Sequence, residues 1–163
     1  MEKTMQGLAA AFAGESQANR KYTAYAAQAD AQGYKQAAKL FRAAAEAETL
    51  HALAEFKALG KVKDTAENLK DAVAGETHEF KSMYPEFIEY AKEEKQPAAQ
   101  RIFEQAAAAE KVHAELYQKV LDNLGKADSS DYYLCPICGY IHEGPYEGAC
   151  PICGAKGSAF KKF

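Results

Sequence analysis

The chain has no long apolar run and no basic leader followed by one, so nothing in it is typical of a transmembrane span or a signal peptide. It also lacks a strong charge of either sign, since 20 basic and 23 acidic side chains leave a formal net charge of −3. This balance provides no basic patch for nucleic acid and no indication of a membrane surface as partner. We therefore expect a cytoplasmic protein that binds neither.

Proline and cysteine are scarce through most of the chain and concentrated near its end. Residues 1–125 contain two of the five prolines and no cysteine, whereas all four cysteines follow residue 131. This shift predicts a helical domain over residues 1–125, a linker over 126–131 and a small domain over 132–163. So short a tail cannot bury a core large enough to fold unaided, so we expect its stability to depend on a metal.

Helical periodicity and end signals predict four helices in the first domain. Asp64 suits a helix N-cap, Pro97 suits a first helical turn, and Gly33 and Gly60 suit positions just beyond helix ends. The predicted helices are Thr4–Gln32, Tyr34–Leu59, Thr65–Lys92 and Pro97–Leu124.

An internal repeat is the most informative feature of the helical part. LFRAAAEAETLHALAEF from Leu40 matches IFEQAAAAEKVHAELYQ, which lies 62 positions later. Both copies carry Glu-x-x-His, and GES and GET upstream contribute one further aligned Glu each. The repeated polar residues are Glu15, Glu48 and His51 in the first half and Glu76, Glu110 and His113 in the second.

The spacing of these residues points to metal binding. Positions i and i+3 share a helix face, and here that face is otherwise apolar. Buried carboxylates are costly without a compensating charge, which divalent cations supply. One Glu from each of two helices and Glu-x-x-His from each of two others is the ligand set of a di-iron or di-manganese site in a four-helix bundle. The alternative is a set of ordinary charges on a solvated helix face.

The tail contains two Cys-x-x-Cys pairs within CPICGYIHEGPYEGACPICG. Four thiolates in tetrahedral geometry select zinc or iron, and spacing alone does not separate a structural zinc ribbon from a redox iron site. Disulfides are not expected in a reducing compartment. The predicted ligands are Cys135, Cys138, Cys150 and Cys153.

These motifs together resemble the rubrerythrin family over essentially the whole chain. The resemblance implies an all-α ferritin-like four-helix bundle followed by a small rubredoxin-like metal-binding β/loop domain. It implies bridging carboxylates at Glu48 and Glu110, terminal carboxylates at Glu15 and Glu76, and imidazole ligands at His51 and His113. An additional carboxylate matches Glu79, and the four cysteines match the ligands of a rubredoxin-like iron.

Glu79 makes the site asymmetric, because the repeat places Ala18 opposite it. One iron could then be bound by either His51 or Glu79, and ferric iron would favour the carboxylate. The alternative is that Glu79 is not a ligand and only tunes the site from outside the ligand set. Tyr22 and Tyr84 match tyrosines that the family places near the metals, and we expect them to donate protons unless they are ordinary core tyrosines.

Neighbouring residues are expected to have no direct part in metal binding. We expect Tyr25 to pack, His78 to lie on the surface and His142 to make a contact in a turn. Three further acids flank the ligand motifs without matching in the repeat and are expected to be solvated: Glu46, Glu55 and Glu115.

These features favour a di-iron peroxidase that reduces hydrogen peroxide to water. Its electrons would pass from a pyridine-nucleotide-linked reductase, or a rubredoxin, through the cysteine-bound iron. A ferroxidase or iron-handling protein would need the bundle without an electron relay. A zinc-tailed binding or scaffold protein would leave the buried carboxylates unexplained.

The connection between the second and third helices predicts a homodimer. A crossover within one chain must span about 30 Å, whereas the steps from Gly60 to Thr65 reach at most about 18 Å. Exchange of helix pairs between two chains removes the difficulty. The alternative is a third helix that begins near Leu69 and so releases enough chain for the crossover.

Overall fold

A computed structural model of the protein describes residues 2–126 and 130–163. It divides into two compact units, one ending at Lys63 and the other beginning at Asp64. Half of the predicted linker, residues 127–129, lies outside the described residues. No helix within the described ranges is long and apolar enough to cross a membrane.

The first unit is a hairpin of α1 (Lys3–Ala31) and α2 (Lys35–Ala58), close to the predicted bounds. Gly33 has a φ of 83°, which lets the chain reverse between them. The most deeply buried side chains between the helices are small and allow close helix approach, whereas Phe12 of α1 stacks on Phe56 of α2 at 4.7 Å. The buried alanines are Ala26, Ala29, Ala38, Ala45 and Ala52.

One buried polar side chain ties these helices together. The Asn19 amide nitrogen donates to the Ala45 carbonyl at 2.6 Å and to Thr49 Oγ1 at 2.7 Å. These bonds satisfy the amide nitrogen and favour one pairing of the two helices, because a shifted register would break both. Within the described residues, the amide oxygen, Asn19 Oδ1, is buried without a hydrogen-bond partner.

The end of α2 and the start of α3 leave a short connection. Gly60, at a φ of 65°, donates to the Lys57 carbonyl at 2.9 Å, and the Lys61 amide donates to Phe56 at 3.4 Å, so the chain stays compact there. Helix α3 begins at Thr65, and the Asp64 carboxylate accepts from the Glu67 amide at 2.8 Å. The N-cap prediction is confirmed, and a later start near Leu69 is wrong.

The second unit begins with a helix that changes its winding. Helix α3 (Thr65–His78) continues through a π-helical segment, Glu79–Met83, into α4 (Tyr84–Glu93). Helix α5 (Pro97–Asp122) packs on all three. The extent of the predicted third helix was correct, but the π-helical segment was not predicted.

The tail forms a three-stranded antiparallel sheet in the order β2-β1-β3. The strands are β1 (Tyr132–Leu134), β2 (Ile141–Glu143) and β3 (Lys161–Lys162), with a 3₁₀ turn at Gly157–Ala159. Gly157 is required for close packing, because a Cβ there would lie 2.6 Å from the Gly148 carbonyl oxygen.

Candidate metal centres

The first unit gathers Glu15, Glu48 and His51, with one ligand atom of each within 4.8 Å of the others. Glu15 comes from α1 and the other two from α2, one turn apart. His51 Nδ1 lies 3.1 Å from Glu48 Oε2. The carboxylates are partly buried, whereas the imidazole is 59% exposed, so the cluster lies at the edge of the helix pair.

The second unit repeats this arrangement with Glu76, Glu110 and His113. His113 Nδ1 lies 2.6 Å from Glu110 Oε2 and 3.7 Å from Glu76 Oε2. Only 15% of the His113 side chain is exposed. The ring therefore occupies a more enclosed position than its counterpart, His51.

Crowding of the carboxylates changes their protonation in the absence of a cation. Burial, then the hydrogen bond and charge of Glu110, raise the pKa of Glu76 to about 7. The hydrogen bond with Glu48, together with burial, raises the pKa of Glu15. In each cluster the two neighbouring carboxylates resist being ionised at the same time. A divalent cation bound by both carboxylates and the imidazole would compensate their charge. Each cluster therefore fits half of a carboxylate-bridged metal pair.

Aromatic contacts show that the repeat is also structural. Tyr22 lies 6.2 Å from Phe41 between ring centroids, and Tyr84 lies 6.2 Å from Phe103. Burial and the charges of Glu110, Glu79 and Glu76 raise the pKa of Tyr84, which places its phenol within the field of the ligand carboxylates. Tyr25 packs edge-on against Phe41 at 5.5 Å, as predicted, but 46% of the residue is exposed.

The π-helical segment explains a one-residue mismatch between the halves. Tyr22 follows Glu15 by seven positions, whereas Tyr84 follows Glu76 by eight. A π-bulge accommodates one additional residue while the flanking helical turns keep their faces. Glu79 is its first residue. It is partly buried and lies outside the tight cluster of its unit.

The residues expected to be bystanders divide into two groups. His78, Glu46 and Glu115 are exposed, as predicted. The solvated assignment of Glu55 is wrong: it is half-buried, and within the described structure its Oε2 atom is buried without a hydrogen-bond partner. His142 lies in β2 rather than in a turn, with Nδ1 3.2 Å from the Tyr140 hydroxyl.

The four cysteines converge in the tail as free thiols. Cys135 Sγ lies 3.6 Å from Cys153 Sγ, and Cys138 Sγ lies 3.5 Å from Cys150 Sγ. The two loops have the same backbone form, because Gly139 donates to the Cys135 carbonyl at 3.1 Å and Gly154 to the Cys150 carbonyl at 2.9 Å.

The thiols also resist ionising together. Burial opposes ionisation of Cys135, but backbone amides of Cys138 and Ile137 donate to its sulfur, and its pKa is lowered to about 7. Burial raises the pKa of Cys138 and Cys153. A bound cation would compensate four thiolates at this spacing, so the donor set fits tetrahedral iron or zinc.

A contact that sequence reasoning missed joins two of these clusters. His113 Nε2 lies 2.8 Å from the carbonyl oxygen of Gly139, the residue that follows Cys138. Burial opposes protonation of His113, but hydrogen bonds to Glu110 and Gly139 raise its pKa. No spacing rule connects positions so far apart in the sequence.

Comparison with known families matches both parts of the chain. The family model described as rubrerythrin matches residues 7–121, and the model described as rubrerythrin, rubredoxin-like domain, matches residues 133–161. The fold class is therefore a ferritin-like helical domain followed by a rubredoxin-like domain, as predicted.

Individual relatives agree with this assignment. Nigerythrin of Nitratidesulfovibrio vulgaris is 40% identical over 92% of this chain and 81% of its own length. Rubrerythrin-2 of Clostridium acetobutylicum is 34% identical over 98% of this chain and 96% of its own length. The solved structure of partially reduced nigerythrin covers 100% of this chain, and this chain covers 88% of it, with a TM-score of 0.62 and 38% identity.

The cofactors follow from the family together with the clusters described above. They are a non-haem, carboxylate-bridged di-iron centre and one iron bound by four cysteine thiolates. The chain belongs to the rubrerythrin family of di-iron oxidoreductases, which act in oxidative-stress protection.

Proposed function

We propose that this protein is a peroxidase that reduces hydrogen peroxide to two waters, with electrons delivered through its cysteine-bound iron. The observation that carries the proposal is the presence, in one chain, of two carboxylate–imidazole clusters and a four-sulfur cluster. A ferroxidase would require the first kind of cluster but not the second. We also expect a cytoplasmic location, because four cysteines kept available as metal ligands suit a compartment that keeps thiols reduced.

The ligands of the di-iron pair would come from both units. Glu48 and Glu110 would bridge, Glu15 and Glu76 would bind one iron each, and His51 and His113 would supply nitrogen. A ferrous pair held by these residues would supply the two electrons needed to reduce the O–O bond of hydrogen peroxide. Glu79 would bind or tune one iron in the ferric state, because the harder ion favours an anionic oxygen ligand.

The two tyrosines would donate protons to the reaction. Reduction of one peroxide to two waters consumes two protons as well as two electrons, so a donor must lie close to the site. The Tyr84 hydroxyl is protonated at neutral pH and lies close enough to the ligand carboxylates that burial and their charges raise its pKa. Tyr22 holds the equivalent position against Phe41 in the first unit. Both would hydrogen-bond a ligand carboxylate and pass a proton toward the leaving oxygen.

The cysteine centre would deliver electrons one at a time from outside. Four thiolates hold iron in both oxidation states with little rearrangement, which suits a one-electron relay. The external donor would be a pyridine-nucleotide-linked reductase or a rubredoxin.

The complete di-iron site would form between two chains. Helix α2 runs about 14 Å beyond His51 to Gly60, and α3 rises about 16 Å from Thr65 to Glu76. The connection from Gly60 to Thr65 reaches at most about 18 Å, and α3 does begin at Thr65. Each site of a domain-swapped homodimer would then combine Glu15, Glu48 and His51 of one chain with the second-unit ligands of the other.

Substitution in each centre tests the function. With external electrons, Cys138→Ser should abolish peroxide turnover while leaving a single turnover of chemically pre-reduced protein. Glu110→Ala should remove both activities, because a bridging ligand serves both ions. Normal steady-state turnover by Cys138→Ser would show that electrons bypass the cysteine centre, and zinc there in protein purified anaerobically from its native host would also count against the relay.

A further inference from the structure

The His113 side chain contacts both kinds of cluster within the second unit. Its Nδ1 faces the carboxylates of Glu76 and Glu110, whereas its Nε2 lies 2.8 Å from the Gly139 carbonyl. Gly139 is bonded directly to Cys138, and its own amide donates to the Cys135 carbonyl. A single imidazole thus stands between a carboxylate cluster and the backbone of a cysteine loop.

The chemistry of this contact determines which nitrogen carries a hydrogen. A carbonyl oxygen only accepts, so Nε2 must carry the hydrogen and donate it to Gly139. The lone pair of a neutral ring is then on Nδ1, which faces the carboxylates and suits a metal ion. The tail therefore helps to fix the tautomer of His113, a predicted di-iron ligand in the same chain.

Apolar side chains of the tail do not pack tightly against α3 and α5. A cavity of about 450 Å³ lies between them, lined by Leu69, Leu116 and Val120 from the helices and by Leu134, Ile141 and Phe163 from the tail. Side chains separated by a cavity gain little from dispersion contacts. Directional polar contacts therefore contribute to how the cysteine loop meets His113.

An ion pair provides such a contact. The Lys119 ammonium, on the last turn of α5, donates to the Glu143 carboxylate on β2. The Glu143 side chain is only 19% exposed, so reversal of the lysine charge would bring two carboxylates together where solvent screens their repulsion poorly. Glu143 ends the strand that begins two residues after Gly139.

We propose that the Lys119–Glu143 ion pair positions the cysteine loop against His113 of the same chain, so that each cysteine centre serves the di-iron site to which its own α5 contributes. Lys119 and Glu143 are thus positioning residues, and they act through the His113–Gly139 hydrogen bond. The inference rests on the proposed metal sites but not on the peroxide chemistry.

The first test measures the hydrogen bond itself in full-length protein loaded with zinc in every site. Isotope labelling allows detection of the scalar coupling between His113 Nε2 and the Gly139 carbonyl carbon. We expect this coupling in the unmodified chain and its reduction by about threefold or more in Lys119→Glu, since a charge contact is lost and a repulsion is added. The charge-swapped variant Lys119→Glu/Glu143→Lys should restore it.

A matched control makes the same charge change inside the tail. Lys162 on β3 pairs at 2.7 Å with Asp131, the linker residue just before β1, so neither partner lies on the helices. Lys162→Glu should therefore leave the His113–Gly139 coupling intact. An equal loss in Lys162→Glu, or no loss in Lys119→Glu, would overturn the proposal, as would absence of the coupling in the unmodified chain.

The second readout follows one electron in iron-loaded protein. As the cysteine iron passes from ferrous to ferric, one bundle iron passes from ferric to ferrous, and the returning ferric-thiolate colour reports the rate. Lys119→Glu should slow this step by a similar factor, and the charge swap should recover it. An intact coupling in a protein without peroxide turnover would uphold the positioning role and count against the peroxidase.

Discussion

Glu79 is the candidate metal ligand that the two halves of the repeat do not share, since Ala18 stands opposite it. It begins the π-helical segment and affects the electrostatics of both Glu76 and Tyr84. Its carboxylate is close enough to influence the second-unit cluster but is not part of it.

Replacement of Glu79 by Ala recreates the first half of the repeat. We expect the ferrous site to assemble, the ferric site to be held poorly, and peroxide turnover to fall by about 10- to 100-fold, the range seen when groups that support metal ligands are lost. Iron content in each oxidation state and steady-state kinetics measure this. Glu115→Ala, on an exposed face of α5, is the control, and unchanged kinetics in Glu79→Ala would make Glu79 a bystander.

Protonation of Glu76 predicts a pH dependence of the metal-free protein. Burial and Glu110 raise its pKa from 4.5 to about 7. The native state therefore binds the proton more tightly than the unfolded state, and this contribution to stability is present below pH 4.5 and lost as pH rises through about 7. Glu76→Gln keeps a neutral side chain throughout, so its unfolding midpoint should exceed that of the parent increasingly across this window.

With zinc at neutral pH, the unfolding midpoint of the parent should exceed that of Glu76→Gln. The metal binds the ionised carboxylate of the parent, whereas Gln is a weaker ligand. Thermal unfolding with a chelator and with zinc measures both effects. A difference between the two proteins that is independent of pH would show that Glu76 ionises normally.

At the scale of elements, a π-helical segment distinguishes the described helices of the second unit from those of the first. The additional residue lets Tyr84 keep the contact with Phe103 that Tyr22 makes with Phe41. It also changes the winding at Glu79. Such segments are rare in helices and are often found at functional sites.

Deletion of exposed Ser82 should convert the segment into regular α-helix. Because one residue is then lost from a bulge, the flanking faces persist, and we expect the unfolding midpoint to be unchanged or raised. Peroxide turnover should fall as in Glu79→Ala, since the Glu79 side chain would be rotated away from the second-unit cluster. Deletion of Gln17 from regular α1 is the control: it turns later residues by about 100° and should lower the midpoint. Loss of folding in the Ser82 deletion alone would contradict this account.

At the scale of the whole molecule, the short connection after α2 predicts exchange of helix pairs. In a swapped dimer of a Glu48→Ala chain with a Glu110→Ala chain, one site retains every ligand and the other loses both bridges. Co-refolding of two inactive variants should therefore restore activity and iron binding in one of the two sites of each heterodimer.

The same experiment contains its control. Refolding of either variant alone should give no recovery, because every site then lacks one bridging carboxylate. Without exchange, each chain of the mixture carries its own damaged site, so an inactive mixture that contains heterodimers would argue for a crossover within one subunit.

Local pattern in the sequence was sufficient for the helices, their ends and the candidate ligands. Asp64 and Pro97 act at helix starts through the nearest backbone groups, and Glu-x-x-His brings its two side chains together through helix geometry alone. Each Cys-x-x-Cys loop is shaped in a similar way by its own short turn. The ligand roles of these residues remain predictions.

Other features depend on contacts between distant positions, which only the tertiary structure decided. Glu55 has the sequence neighbours of a solvated acid, yet its carboxylate is partly buried. The spacing of Glu76 and Tyr84 contained the additional residue, but helix packing converted it into a π-helical segment at Glu79. His113 meets Gly139 because the tail folds back on α5. Periodicity describes one element at a time, whereas these contacts arise from packing between elements.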